Sequence, residues 1–96
     1  PDAVVCANNY IALGCASAIR EQGLEIPKQI AVMTFDDHPF SQIMDPPLTV
    51  VDIDVRGMGR QAGKFLLEII RHPNTQVQTY VTTSNLMVRQ STVPQK

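Results

Sequence analysis

Two short polar pairs in this sequence could do chemistry together: Asn8-Asn9, and Asp36-Asp37 about 28 residues later, close to the roughly 30 residues of a βαβ unit. A carboxylate accepts hydrogen bonds from two neighbouring hydroxyls, while an amide both donates and accepts. Asn8 and Asp36 side by side would therefore suit a neutral polyol such as a sugar. The competing reading is structural, with Asp36 or Asp37 capping the turn that follows. Pattern alone leaves both readings open.

Catalysis has less to stand on. Adjacent acids behind a strand suggest a two-carboxylate magnesium site, but the haloacid-dehalogenase phosphotransferases need Asp-x-Asp, and here two adjoining acids are followed by His38. A receiver domain needs a lysine on a later strand, whereas Lys28 precedes the strand and Lys64 falls mid-helix. His38 in a turn and His72 at a helix end pair with no legible nucleophile or base. No catalytic residue, metal ligand or cofactor is expected.

Gly57-Met58-Gly59-Arg60-Gln61-Ala62 matches a G-x-G-x-x-A dinucleotide fingerprint. That mechanism wants the glycines in the turn before the helix, where backbone N–H groups meet the pyrophosphate. Asp54 is the expected cap, so the glycines fall inside the first turns, and no Asp or Glu follows Glu68. Gly59 and Gly63, one turn apart, read more simply as room for close helix packing.

The acids need an element to carry them. Residues 30–37 form a near-continuous apolar run ending at the two acids, bounded by Pro27 and Pro39. Such a run reads as a parallel-sheet strand buried on both faces. Its carboxyl end is where open α/β sheets bind ligands. Residues 3–7 read as an earlier buried strand. Residues 9–22 follow as a helix with Ile11, Ala12, Cys15, Ala16 and Ile19 on its core stripe, Asn8 or Asn9 as N-cap and Gly23 as its C′ stop. A right-handed crossover makes the two strands parallel and brings their carboxyl ends to one edge. Asn8 and Asp36 are thus expected close together.

Tyr10, Leu13 and Ser17 form a second stripe on that helix, and Phe40, Ile43 and Met44 crowd the short segment after the acids. These apolar residues await either core or a second subunit. After Pro46-Pro47, residues 48–52 read as a third strand. A long helix follows over residues 55–72, capped by Asp54 and stopped by Pro73, with Met58, Ala62, Phe65, Leu66, Ile69 and Ile70 on its buried stripe. Residues 76–82 and 85–89 read as strands, and the tail from Gln90 as a fraying end.

Bulk properties narrow the class. Ninety-six residues bound one small domain, and 44% hydrophobic with 18% charged residues is ordinary for a soluble globular chain. A net charge of −1 leaves no electrostatic footprint for nucleic acid or an anionic membrane. No apolar run reaches the roughly 18 residues of a membrane span, and the N-terminus lacks a signal-peptide layout. The opening Pro1-Asp2-Ala3, without a starting Met, suggests a piece of something longer. Cys6, placed in a strand, and Cys15, in a helix, are spaced for neither metal nor redox work and read as small buried hydrophobes.

Several stretches together resemble one family. Cys6-Ala7-Asn8-Asn9-Tyr10-Ile11-Ala12-Leu13-Gly14 is similar to the ANDxxALG segment of lactose-repressor/galactose-repressor transcriptional regulators. Gly23 to Pro27 followed by residues 30–37 resembles their G-x-x-(V/I)-P…G-(F/Y)-D-D run. Pro46-Pro47-Leu48-Thr49-Val50 resembles PPLTTV, Met58-Gly59 the start of the next helix, and Val88-Arg89-Gln90-Ser91-Thr92 a closing VRxST. The match runs in order along essentially the whole chain.

The resemblance implies the C-terminal portion of a parallel-sheet α/β, periplasmic-binding-protein-like (type I) fold. Residues 1–53 and 83–96 would form the C-terminal lobe, and residues 54–82 a crossover helix and strand of the other lobe. The helix-turn-helix lies outside the chain, so DNA would be reached only through that missing domain. Asn8 and Asp36 fall on effector-contacting positions of the interlobe cleft, Ile53 and Val55 on hinge-side positions lining it, and Leu13, Ile43 and Met44 in a homodimer surface. The implied role is effector sensing in a cytoplasmic regulator, with a small molecule of sugar type controlling DNA binding and no membrane partner. A periplasmic sugar-binding protein is the first alternative, and an α/β enzyme fragment the second. Asn9 stands where the family usually has Asp, and Thr34 where it usually has Gly. An isolated piece of this kind is expected to bind effector weakly or not at all.

Overall fold

The computed structural model describes residues 1–93. In chain order these form β1 (Ala3–Val5), α1 (Asn9–Glu21), β2 (Ala31–Phe35), α2 (Pro39–Ile43), β3 (Thr49–Ile53), α3 (Val55–Arg71) and β4 (Ser84–Met87). One four-stranded sheet has the order β1-β2-β3-β4. β1 runs parallel to β2 and β2 parallel to β3, with Val4 opposite Val32 and Thr34 opposite Val50. The parallel βαβ crossover expected from spacing is therefore present.

The chain divides into two compact units. One comprises Pro1–Asp52 with the described residues from Asn85 on, and the other is Ile53–Ser84. In the first, Cys6, Ala12, Ile19, Val32, Leu48 and Val50 make the core, with Val4, Cys15, Leu24, Ile26, Ile30 and Met44 packed partly against it. β2 is the centre of this unit, but it is not buried on both faces as expected. Val32 and Thr34 are fully buried, while Ala31, Met33 and Phe35 on the alternate face are only half-covered. Side chains of a strand alternate between faces, and only one face of this sheet is fully covered within the unit.

α1 starts as its sequence dictates. Asn8 has extended backbone and its Oδ1 accepts from the Ile11 amide at 2.9 Å, which makes it the N-cap. At the other end Gly23, at φ 74°, donates to Arg20 O, and Leu24 donates to Ile19 O. This is a Schellman closure, which needs a left-handed residue at C′ and finds a glycine there. The buried face is Asn9, Ala12, Ala16 and Ile19. Ile11 is half exposed and Cys15 only partly covered, so the core stripe is rotated from the expected one. Cys6 is buried just past β1 rather than within it, and burial pushes its thiol up to about 11, with Cys15 beside it adding to the rise. A thiol so protonated is poor at metal or redox work.

In the second unit, α3 is capped by Asp54, whose Oδ1 accepts from the Gly57 amide at 2.9 Å. A Cβ at Gly57 would overlap that carboxylate, so this glycine serves the cap. Gly59 and Gly63 have open space around them among the described residues, so no close helix packing is made at either within this chain. The apolar stripe of α3 is amphipathic as expected, yet none of its residues is buried. Within the unit only the segment that follows lies beside it, where Val77 joins Phe65, Leu66 and Ile69 around a shallow depression. Residues 76–82 form no strand, and the later strand is Ser84–Met87 rather than 85–89. A Thr/Val-rich stretch has strand propensity, but propensity without a partner edge makes no ladder.

The largest correction concerns the tail. Instead of fraying from Gln90, the chain packs across the entry ends of β2 and β3, which pair directly from Met33–Thr49 onward. Ser91 is fully buried, and its Oγ donates to Val32 O at 2.6 Å while accepting from the Thr49 amide at 2.8 Å. Its own amide donates to Pro47 O, and its carbonyl accepts from the Val32 amide. Thr92 Oγ1 lies 2.6 Å from Thr49 Oγ1. Polarity suggested a loose end, but the Ser91 hydroxyl, amide and carbonyl are each met by β2, by β3 or by Pro47 just before β3. Residues 94–96, also assigned to that fraying tail, lie outside the described residues.

Candidate functional site

The carboxyl edge of the first unit's sheet is built where β1 and β2 end. The Asp36 amide donates to Val51 O at 2.8 Å, tying the end of β2 to β3. Asn9, in the first turn of α1, donates from Nδ2 to Phe35 O at 3.1 Å and to Asp36 O at 2.9 Å. Asn8-Asn9 and Asp36 therefore share one edge of the sheet.

The two acids have separate tasks. Asp37 is bound on both oxygens by Arg89, from Nη1 at 2.9 Å and from Nη2 at 2.8 Å, in a bidentate pair whose side chains are each about one-sixth exposed (17% and 16%). Ser41 Oγ donates to Asp37 at 3.0 Å, and Arg89 Nη1 also donates to Leu48 O. The Arg89 hydrogen bonds hold the Asp37 carboxyl below the ordinary carboxylate range against the opposing effect of burial, and Ser41 helps. Asp37 is structural. Asp36 is half-buried, and among the described residues its carboxylate receives no hydrogen bond. Neither acid caps α2: that cap is His38, whose Nδ1 accepts from the Phe40 amide at 3.4 Å.

Asn8 spends its Oδ1 on the helix cap and is exposed, which leaves its Nδ2 as the free group. An acceptor-only carboxylate and an amide donor at one edge match the donor and acceptor faces of a hydroxylated ligand. The hydroxyl of Thr34 turns away from such a ligand. It is buried and donates to Cys6 O at 3.2 Å. Ile53, half-buried, closes β3, and Val55, exposed, opens α3. Both sit where the chain enters the second unit, so the first unit's edge is built without them.

Leu13, Ile43 and Met44 do come together. With Tyr10 and Phe40 they line an open apolar groove of about 370 Å³ on the first unit. Tyr10 and Phe40 pack as tilted rings with centroids 6.0 Å apart, and His38 packs on Phe40, also tilted, at 4.5 Å. Ile43 is 82% exposed and Leu13 48%, so the groove is surface rather than core. Among the described residues no cluster of His, Cys, Asp or Glu could hold a metal ion, and no helix is long and apolar enough to cross a membrane. The residues missed by sequence reasoning are Arg89, Ser91 and Asn9. The closing VRxST stretch marked the first two as a motif, but nothing in its spacing pointed to Asp37, 52 positions earlier.

Comparison with known proteins agrees with this architecture. The model of the periplasmic binding protein-like domain matches residues 1–92. The HTH-type transcriptional regulator MalR of Streptomyces coelicolor is 43% identical over 90 residues, a match covering 94% of this chain and 26% of that protein. The chain thus spans about a quarter of that relative's length. Among solved structures, the transcriptional regulator CelR–cellobiose complex superposes with a TM-score of 0.84 at 31% identity, over 94% of this chain and 28% of its own. A LacI family transcriptional regulator from Lactobacillus casei with bound sucrose gives 0.74 at 32% identity, over 95% of this chain and 33% of its own. These relatives are transcriptional regulators rather than enzymes. With the Asn-Asp edge, the Pro-Pro-Leu-Thr entry to β3 and the Arg-x-Ser-Thr clamp all in place, the chain belongs to the lactose-repressor/galactose-repressor family and carries part of its periplasmic-binding-protein-like domain.

Proposed function

We propose that this chain is the effector-sensing and dimerisation part of a bacterial, cytoplasmic transcriptional regulator, with a sugar or sugar derivative as effector. The observation that carries the reading is the division of labour between the acids. Asp37 is consumed by Arg89, while the Asp36 carboxylate receives no hydrogen bond among the described residues, at the edge where Asn9, next to Asn8, binds the Asp36 carbonyl. The cellobiose and sucrose complexes of its relatives support a carbohydrate. Ligand binding shifts an equilibrium between conformations, and that shift reaches DNA through a segment outside this chain. Ile53 and Val55 join the site in this reading as cleft-lining residues.

Binding is testable on the chain itself by backbone NMR titration with cellobiose, sucrose and glucose. The expected result is weak, saturable movement of the Asn8 and Asp36 signals with at least one sugar, abolished by Asp36→Ala. Silence of those signals toward all three sugars would remove the carbohydrate reading.

Leu13, Ile43 and Met44, with Tyr10 and Phe40, form the surface we assign to a second copy of the chain. Large apolar side chains rimming one groove are the usual sign of a protein interface. In sedimentation equilibrium the wild type is expected to associate as a dimer and a Leu13→Glu/Ile43→Glu variant to stay monomeric. A dimer indifferent to both charges would move the interface elsewhere, with the exposed apolar face of α3 as the next place to mutate.

A further inference from the structure

We infer that Asn9 is a positioning residue for the ligand edge: its side-chain amide holds Asp36 in the left-handed conformation that fixes where the Asp36 carboxylate stands. The inference rests on the reading of Asp36 as an effector contact.

Asp36 is the one non-glycine residue with positive φ among the described residues, at 67°. An L side chain in that region costs about 1–2 kcal/mol, tolerated best by Asn and Asp, and persists where surrounding contacts over-determine it. Here the contacts are explicit. The Asp36 amide is held by Val51 O of β3, and the Asp36 carbonyl by Asn9 Nδ2 of α1. The backbone is thus pinned on both sides of a single strained residue, and its side chain is left uncommitted.

Asn9 is suited to this and to little else. It is 7% exposed, and both of its partners, Phe35 O and Asp36 O, are acceptors. Only the NH₂ end of the amide can serve them, because a rotated amide would set Oδ1 against two carbonyl oxygens. In the orientation that works, Oδ1 is buried with no partner among the described residues. An unsatisfied buried acceptor is a local cost of the kind found where a site, rather than packing, dictates the residue. Asn9 also adjoins Asn8, the cap of the same helix, so one turn of α1 carries a proposed ligand donor and the brace for the proposed ligand acceptor.

The test is a double-mutant cycle of Asn9→Ala with Asp36→Gly on this chain, read by denaturant unfolding and by NMR. Glycine adopts positive φ freely, so in the Asp36→Gly background position 36 stores no strain for the loss of Asn9 to release. Asn9→Ala removes the same two backbone hydrogen bonds in both backgrounds, but with Asp36 in place the released residue recovers its strain, so the folded-to-unfolded ratio is expected to fall about tenfold less than with Gly at 36. In folded Asn9→Ala, Asp36 should lose the strong intraresidue HN–Hα NOE that marks positive φ. Equal losses in both backgrounds, or a retained NOE, would reduce Asn9 to a packing residue. Should Asn9→Ala unfold, Asn9→Ser, which keeps one donor, serves the same comparison. The sugar titration separates the two claims. A wild type that responds to no sugar overturns the effector reading while the cycle still scores the brace. A wild type and an Asn9→Ala variant that respond equally overturn the positioning role while the effector reading stands.

Discussion

Replacing Arg89 by alanine is expected to destabilise the chain by about 3 kcal/mol, the lower end of what losing one partner of a buried ion pair costs. The guanidinium makes three hydrogen bonds, two to Asp37 and one to Leu48 O, and its removal strands a carboxylate only 16% exposed. Asp37→Ala should cost a similar amount, and the double variant much less than the sum, because the second change removes a charge already orphaned. Urea unfolding of the four proteins measures this. Additive losses would show that the pair does not act as a unit.

Acid should expose the same pair. Arg89 lowers the Asp37 pKa in the folded state, so the stabilisation is fully present above the ordinary aspartate value of roughly 3.9. It is lost as pH falls through the lowered folded value. Stability curves of wild type and Asp37→Ala are therefore expected to stand apart at neutral pH and converge in acid.

The second large effect is expected at Ser91, where the alanine variant should lose about 2–3 kcal/mol. Deleting the hydroxyl removes no apolar packing of consequence, but it leaves Val32 O and the Thr49 amide without that partner inside the sheet. A change below about 0.5 kcal/mol in urea unfolding, the level of an ordinary surface substitution, would mean that water or a backbone shift replaces the hydroxyl.

These two residues mark the limit of what the sequence made legible. β2 and its acids, the βαβ crossover, the Asn8 and Asp54 caps and the Gly23 stop follow from local rules, because apolar periodicity and capping act within a few residues. That Leu13, Ile43 and Met44 share one surface followed from the family resemblance, with Leu13 off the core stripe of α1 and Ile43 and Met44 in the apolar segment after the acids in agreement with it. Local rules could not show that Asp37 and Asp36 have opposite fates, because that is decided by an arginine 52 residues away. Nor could they show that Ser91 is core, since a small polar residue among polar neighbours looks like a loose end until its strands surround it. The α3 stripe failed for the opposite reason. Its periodicity is correct, but periodicity states only that a face wants covering, and within its own unit little of the face is covered.

The Ser91 insertion also bears on how such a chain is made. Ser91 bonds to Val32 across 59 residues and to Thr49 across 42. A ribosome releases the chain from its amino end, so β1, α1, β2 and β3 are all synthesised before the residues that stitch β2 to β3 exist. Until position 92 clears the exit tunnel, the amides and carbonyls that Ser91 will occupy can be met only by water or by another chain. β2 and β3 can pair directly from Met33–Thr49 onward before then, but their entry ends keep unmet backbone groups until Ser91 arrives, a late-made seam open to water or to a neighbouring chain.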